Sequence, residues 1–158
     1  MRIQLNEPGM KRSEINRLIK EALVFFKHMN FFLPPWAYWS MDEWEAQKDR
    51  CAEIFEHQLG WDLTDFGSGN FSSTGLLLFT LRNGRPGKGV KSYAEKIMVV
   101  EENQLTPMHF HWSKMEDIIN RGGGNLMIQL YASSPDEKLS GERFEIALDG
   151  ISRSCDPG

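Results

Sequence analysis

The 158-residue sequence lacks the features that mark several large classes of protein. Its two cysteines, Cys51 and Cys155, lie far apart without metal or redox spacing, so we expect free thiols. No stretch approaches the roughly 18 apolar residues that span a bilayer, and the N-terminal residues do not form a signal-peptide pattern. These absences favour a cytoplasmic protein that does not enter a membrane.

Positive charge is scarce as well. The 18 Lys and Arg residues are outnumbered by 22 Asp and Glu residues, which gives a formal net charge of -4. Because such a surface has no basic surplus to neutralise a phosphate backbone, nucleic acid is not an expected partner. The length suits one globular domain, and a small neutral ligand fits the charge better.

The first third of the chain predicts two helices separated by a proline break. Apolar residues recur at helical spacing over residues 13–29, with Ser13 available as the N-cap. A second helix is predicted over residues 40–58, where Ser40 and Glu43 form a capping box. The two consecutive prolines between these segments exclude regular helix.

Beyond Gly67 the sequence consists of short β-branched and aromatic runs separated by turn residues. The dipeptide Asp149-Gly150 predicts a tight turn near the end of this region. Helices followed by an antiparallel β region indicate a barrel or sandwich decorated by helices. The predicted strands cover residues 76–82, 93–101, 104–112, 125–132 and 143–148.

The stretch PMHFHWSKME, residues 107–116, contains the candidate metal ligands. Side chains two apart on a strand share a face, so His109 and His111 would point to one place while the apolar residues between and beside them pack behind. Two histidines alone do not establish a metal site, because they could also be surface residues or a hydrogen-bonded pair in the core. A bend after the strand could return the carboxylate of Glu116 to the same ion, which completes a two-histidine, one-carboxylate set.

The spacing of these residues is similar to the first metal motif of the cupins. His-x-His, four residues, Glu, six residues and Gly run from His109 to Gly123, although Asn103 replaces the usual earlier glycine. The resemblance extends from near Met10 to the end of the chain and is to the bacterial D-lyxose isomerase family. It is carried, in order, by LGWDLTDFGSGNF, GLLLFTLRNG, SYAEKIMVVEE and TPMHFHWSKMEDIINRGGGNL.

The resemblance implies a mainly β fold, a cupin-type β-barrel (jelly roll) with N-terminal helices. It implies one cupin domain over residues 1–158, with an extension at 1–9, a helical part at 10–66 and a barrel part at 67–158. The family's chains are longer, and their last part supplies a fourth ligand histidine and a glutamate that moves the proton. No histidine follows His111 here, so the fourth ligand is missing. The family's last part also supplies the closing strands, so we expect an incomplete barrel in this chain.

The activity that the resemblance implies is the interconversion of D-lyxose and D-xylulose, with D-mannose and D-fructose as a second pair. A proton would move between C1 and C2 through an enediol. The implied metal ligands are His109, His111 and Glu116, with Mn²⁺ as the expected ion and Zn²⁺, Co²⁺, Ni²⁺ or Fe²⁺ as alternatives. Lys114 matches the family's active-site lysine, and Lys96 matches a lysine that we interpret as a substrate contact. Family members are commonly homodimers.

Other interpretations of these residues stay open. Lys114 is equally explained as a solvated loop lysine, and Lys96 as a strand lysine that faces solvent. The same ligand set occurs in cupin oxygenases that use iron. The short chain could be a truncated product, a natural form without turnover that acts as a sugar-binding or metal-binding cupin fragment, or a barrel completed by a partner chain. The aromatic residues of PPWAYW and FHW are expected in the core, and His28 and His57 as surface or packing residues.

Overall fold

A computed structural model describes residues 10–84 and 91–158. The chain divides into two compact units, residues 1–107 and residues 108–158. The described elements of the first unit are α1 (Arg12–His28), a 3₁₀ turn (Pro35–Tyr38), α2 (Met41–Gln47), a 3₁₀ turn (Lys48–Arg50), α3 (Ala52–Glu56), β1 (Gly60–Thr64), β2 (Leu76–Asn83) and β3 (Ala94–Val99). Those of the second unit are β4 (Phe144–Leu148) and β5 (Ile151–Cys155).

Helix α1 is amphipathic, as the spacing of its apolar residues predicts. Its start differs from the prediction, because Lys11 occupies the N-cap position and makes no side-chain cap hydrogen bond. Ser13 lies inside the helix, so its predicted role as the N-cap is wrong. The buried residues of the helix recur every three or four positions and are Ile15, Leu18, Ala22 and Phe26.

The single helix expected over residues 40–58 is divided into α2, a 3₁₀ turn and α3. The predicted capping box is present at its start: the backbone N–H of Glu43 donates to Ser40 Oγ at 3.3 Å, and that of Ser40 donates to Glu43 Oε2 at 2.7 Å. The break lies at Cys51, which is buried and has a non-helical backbone. Local periodicity does not detect such a break, because burial of the side chain is a tertiary effect.

Strands β1, β2 and β3 form an antiparallel sheet in that order, with β2 at the centre. The strands predicted at residues 76–82 and 93–101 are confirmed as β2 and β3. The sequence interpretation missed β1, which has only five residues and includes the polar Asp62 and a glycine at its start. A strand this short is defined by its neighbour in the sheet more than by its own pattern.

The core of the first unit lies between α1 and one face of this sheet. Its centre is Phe79, whose side chain is 0% exposed. The Phe79 ring centroid lies 4.9 Å from that of Trp36 and 5.1 Å from that of Trp61, which itself stacks on Phe26. Trp36 packs against the core cluster, as expected for an aromatic residue of PPWAYW.

The second unit contains a hairpin of β4 and β5, joined at the predicted turn Asp149-Gly150. The strand predicted at residues 143–148 is confirmed as β4. Strand β5 was not predicted, because the sequence ISRSC has little apolar alternation. Cys155 at its end and Cys51 are both free thiols, as expected.

Two predicted strands of this region are wrong. Residues 108–112 of the stretch predicted at 104–112, and all of 125–132, are outside the strands of the described structure. Local propensity is present in both, but a strand also needs a neighbour that accepts and donates the ladder hydrogen bonds. The FHW aromatics are not core residues, since Phe110 is exposed and Trp112 is 75% exposed.

The five strands are all antiparallel and lie in two sheets, in agreement with a mainly β, cupin-like fold. Within the described residues these are a three-stranded and a two-stranded sheet, and neither closes into a barrel by itself. None of the helices in residues 10–84 and 91–158 combines the length and the apolar character that crossing a membrane requires.

Candidate metal centre

Three side chains with metal-binding atoms meet in the second unit. His109, His111 and Glu116 each offer one ligand atom, and these atoms lie within 4.8 Å of one another. The two imidazole centroids are 4.9 Å apart, with their planes at 72°. Nε2 of His111 lies 3.1 Å from Oε2 of Glu116. The structure therefore brings together the three candidate ligands that the sequence motif predicted.

The local backbone explains how these residues meet without a regular strand. His109 and His111 are separated by one residue, and their rings are in edge-to-face contact. The chain then bends at Trp112 and Ser113, before it reaches Glu116. This bend lies where the sequence analysis placed it, and it returns the carboxylate toward the imidazoles.

The carboxylate of Glu116 also has a cationic neighbour. Nζ of Lys114 lies 2.5 Å from Oε1 of Glu116, while Oε2 is the oxygen that approaches His111. The hydrogen bond from the Lys114 ammonium lowers the pKa of Glu116, and His111 adds a smaller effect, although partial burial of the carboxyl opposes both. Glu116 is consequently an ionised carboxylate at neutral pH, which is the form that binds a metal.

The donor atoms fit a divalent ion. Imidazole nitrogens and a carboxylate oxygen accept manganese, iron, cobalt, nickel or zinc. Three protein ligands would leave further positions on the ion for substrate or water.

The other two sequence-predicted site residues, Lys114 and Lys96, lie in different units. Lys114 is beside Glu116 in the second unit, whereas Lys96 lies on β3 of the first unit, exposed and paired in register with Thr80. His57 is a packing histidine, as expected, because its Nδ1 lies 2.5 Å from the backbone oxygen of Asn83. His28 is exposed at the end of α1, as also expected.

The sequence interpretation missed one interaction, the ion pair between Lys114 and Glu116. It considered the lysine as a group that acts on substrate and the glutamate as a ligand. The only signal in the sequence was their separation by one residue, which in an irregular segment does not show whether two side chains meet.

Comparisons of the chain with a family model and with individual proteins point to the same family. A family model described as D-lyxose isomerase matches residues 10–158. A D-lyxose/D-mannose isomerase of Escherichia coli O157:H7 is 49% identical, over 89% of this chain and 63% of the relative. One of Serratia proteamaculans is 48% identical over the same shares of the two chains. The chain thus spans less than two thirds of the length of these relatives. It belongs to the D-lyxose isomerase family.

Proposed function

We propose that this chain carries the metal centre of an aldose–ketose isomerase that interconverts D-lyxose and D-xylulose, and D-mannose and D-fructose. The observation that carries the proposal is the meeting of the ligand atoms of His109, His111 and Glu116 in a member of this family. The two aldoses are those on which the similar proteins of Escherichia coli O157:H7 and Serratia proteamaculans, both D-lyxose/D-mannose isomerases, act. Both sugar pairs share the same exchange of carbonyl and hydroxyl between C1 and C2.

The proposed cofactor is a divalent ion held by His109, His111 and Glu116. We propose Mn²⁺, the ion that the family resemblance implies, and the imidazole and carboxylate ligands of this group are compatible with it. Zn²⁺, Co²⁺, Ni²⁺ and Fe²⁺ are the alternatives that the same donors accept. When bound, the ion would polarise the adjacent carbonyl and hydroxyl oxygens of the sugar.

Lys114 is the proposed catalytic residue of this chain. The isomerisation removes a proton from carbon and gives an enediolate, whose oxygen needs a nearby positive charge or a proton. The Lys114 ammonium is at the centre already, in contact with Glu116. It can stabilise the enediolate oxygen electrostatically or donate a proton to it. The alternative of a purely solvated lysine is less consistent with this contact.

Lys96 is the proposed substrate-binding residue. It projects from β3, where its cross-strand partner is the buried Thr80, and its own side chain is exposed. An exposed ammonium keeps three donors available for the hydroxyl groups of a sugar. Its position in the strand AEKIMVV also matches the lysine that the family resemblance identifies.

The assembly and location of the protein are part of the same proposal. We propose one cupin domain, since the family match runs through both units, and a homodimer. Self-association is supported by apolar side chains that are exposed in the second unit, among them Leu126, Met127, Ile128 and Leu130. The free thiols of Cys51 and Cys155 suit the reducing cytoplasm.

The proposal is tested with the purified 158-residue chain and added Mn²⁺. The expected result is formation of D-xylulose from D-lyxose, with exchange of the C2 proton for deuterium in D₂O. His109→Ala should lose both bound Mn²⁺, measured by electron paramagnetic resonance, and turnover. His28→Ala is the matched control, because it removes an exposed histidine outside the centre and should retain both.

Two results would contradict the proposal in different ways. Absence of Mn²⁺ binding by the wild-type chain would refute the metal centre. Binding that is lost in His109→Ala, without turnover or proton exchange, would refute isomerase activity in this chain and favour a metal-binding cupin fragment. Oxygen consumption with Fe²⁺ would instead indicate an iron oxygenase.

A further inference from the structure

The candidate metal centre contains a cation of its own. Glu116 uses its two carboxylate oxygens for different partners: Oε1 lies 2.5 Å from the Lys114 ammonium, and Oε2 lies 3.1 Å from Nε2 of His111. Lys114 is therefore in direct contact with one of the candidate ligands. It engages the same carboxylate that would bind the divalent ion.

Once a divalent ion binds, the positive charges around Glu116 outnumber its single negative charge. Glu116 provides one negative charge, and Lys114 already provides one positive charge beside it. A divalent ion adds two further positive charges next to the ammonium, and like charges at such distances repel each other. The carboxylate is then shared between two cations, so each of them weakens the hold of the other.

Solvent exposure sets the size of this competition. The Lys114 and Glu116 side chains are 53% and 42% exposed, so water screens the pair. An ion pair of this exposure has a modest effect, far below that of a buried pair. The lysine should consequently tune the affinity for the ion without preventing its binding.

We propose that Lys114 is an internal cation that competes with the divalent ion for the negative charge of Glu116, so that metal binding weakens the ion pair between the lysine ammonium and the carboxylate. This inference rests on the metal centre of the proposed function. Because linkage is reciprocal, each cation lowers the affinity of the carboxylate for the other by the same factor. The ammonium is thus more available to a substrate oxygen when the centre is loaded.

This role differs from that of a residue that orients a metal ligand. An orienting lysine would hold Glu116 toward the ion, and its removal would weaken metal binding. A competing lysine gives the opposite sign, because its removal leaves the carboxylate to the ion alone. The affinity for metal in the absence of sugar therefore separates the two roles without reference to turnover.

The test is the dissociation constant for Mn²⁺, measured from the paramagnetic resonance signal of the free ion. Lys114→Met keeps an unbranched side chain and removes the charge, and we expect it to bind Mn²⁺ about fivefold more tightly than wild type. Lys114→Arg keeps the charge and should stay within about twofold of wild type. Lys138→Met is the matched control for net charge, because Lys138 pairs with Asp136 in the same unit and should change the affinity by less than about twofold.

An unchanged or weaker affinity in Lys114→Met would overturn the inference, as would an equal increase in Lys138→Met. In both cases the wild-type chain binds Mn²⁺, so the metal centre of the proposed function stands. Failure of the wild-type chain to bind Mn²⁺ is a separate outcome, which overturns the centre and the competition together.

Discussion

The packing of Phe79 gives the largest effect on stability that we predict for a single substitution. The side chain is 0% exposed and touches the rings of Trp36 and Trp61 in the middle of the first core. Phe79→Ala would remove these ring contacts and leave a cavity that the surrounding sheet and helix fill only in part. Buried substitutions of this kind lower the free energy of unfolding by about 3–5 kcal/mol. That is a large fraction of a total that is typically about 5–15 kcal/mol.

Urea denaturation followed by tryptophan fluorescence measures this loss, since Trp36 and Trp61 report on the site itself. With a slope of about 2 kcal/mol per molar urea, the midpoint should fall by about 2 M. Phe32→Ala is the matched control: it removes the same atoms from a side chain that is 69% exposed. It should change the free energy of unfolding by less than about 0.5 kcal/mol.

The comparison of the two alanine variants tests whether the Phe79 side chain is enclosed between α1 and the sheet. Equal losses in Phe79→Ala and Phe32→Ala would refute the reasoning, because they would mean that Phe79 is not enclosed between α1 and the sheet. A large loss in Phe32→Ala would have the same meaning, since it would place the core on a different surface. Phe79→Leu should lie between wild type and Phe79→Ala, because it leaves a smaller cavity.

Two further predictions concern hydrogen bonds of the first unit. Ser40→Ala removes the acceptor for the Glu43 N–H and should cost about 1 kcal/mol, seen as a fall of about 2–4 °C in Tm by calorimetry. The backbone N–H of Ser40, and then its hydroxyl, donate to Glu43 and lower its pKa, so these bonds stabilise the fold above the unfolded pKa and their effect is lost as pH falls through the lowered one. Ser40→Ala keeps the backbone N–H and removes the hydroxyl. The part of the stability difference that comes from the hydroxyl bond to Glu43 should therefore disappear in acid, and a constant difference would contradict this. The buried side-chain amide of Gln104 donates to the Phe71 carbonyl and accepts from the Glu101 N–H. Gln104→Leu removes both hydrogen bonds and should lower the free energy of unfolding, measured by urea denaturation, by about 1–3 kcal/mol. Hydrogen exchange at the Glu101 amide should become faster, and unchanged exchange would refute the role of Gln104.

Much of the first unit could be predicted because its signals are local. The buried residues of α1 recur at the helical period, and that repeat is visible without any partner. The capping box joins Ser40 and Glu43, which are three positions apart, and both of its hydrogen bonds are present. The spacing of the candidate metal ligands is equally local, since His109, His111 and Glu116 lie within eight consecutive residues.

The missed strand β1 and the wrongly predicted strand at residues 125–132 depend on residues distant in the sequence. β1 exists because β2 lies beside it, whereas residues 125–132 have strand-like composition and belong to no strand in the described structure. A ladder needs two chains of hydrogen-bonding groups, so composition supplies only half of the condition.

At the candidate metal centre, too, some features follow from the sequence and others only from the tertiary structure. The sequence determined which side chains could bind a metal, because ligand chemistry and spacing are written in the residues themselves. Only the tertiary structure decided that the Lys114 ammonium takes one oxygen of Glu116 while the other faces His111. The direction of a flexible side chain in an irregular segment is set by the charges around it in the folded chain, and no periodicity encodes it.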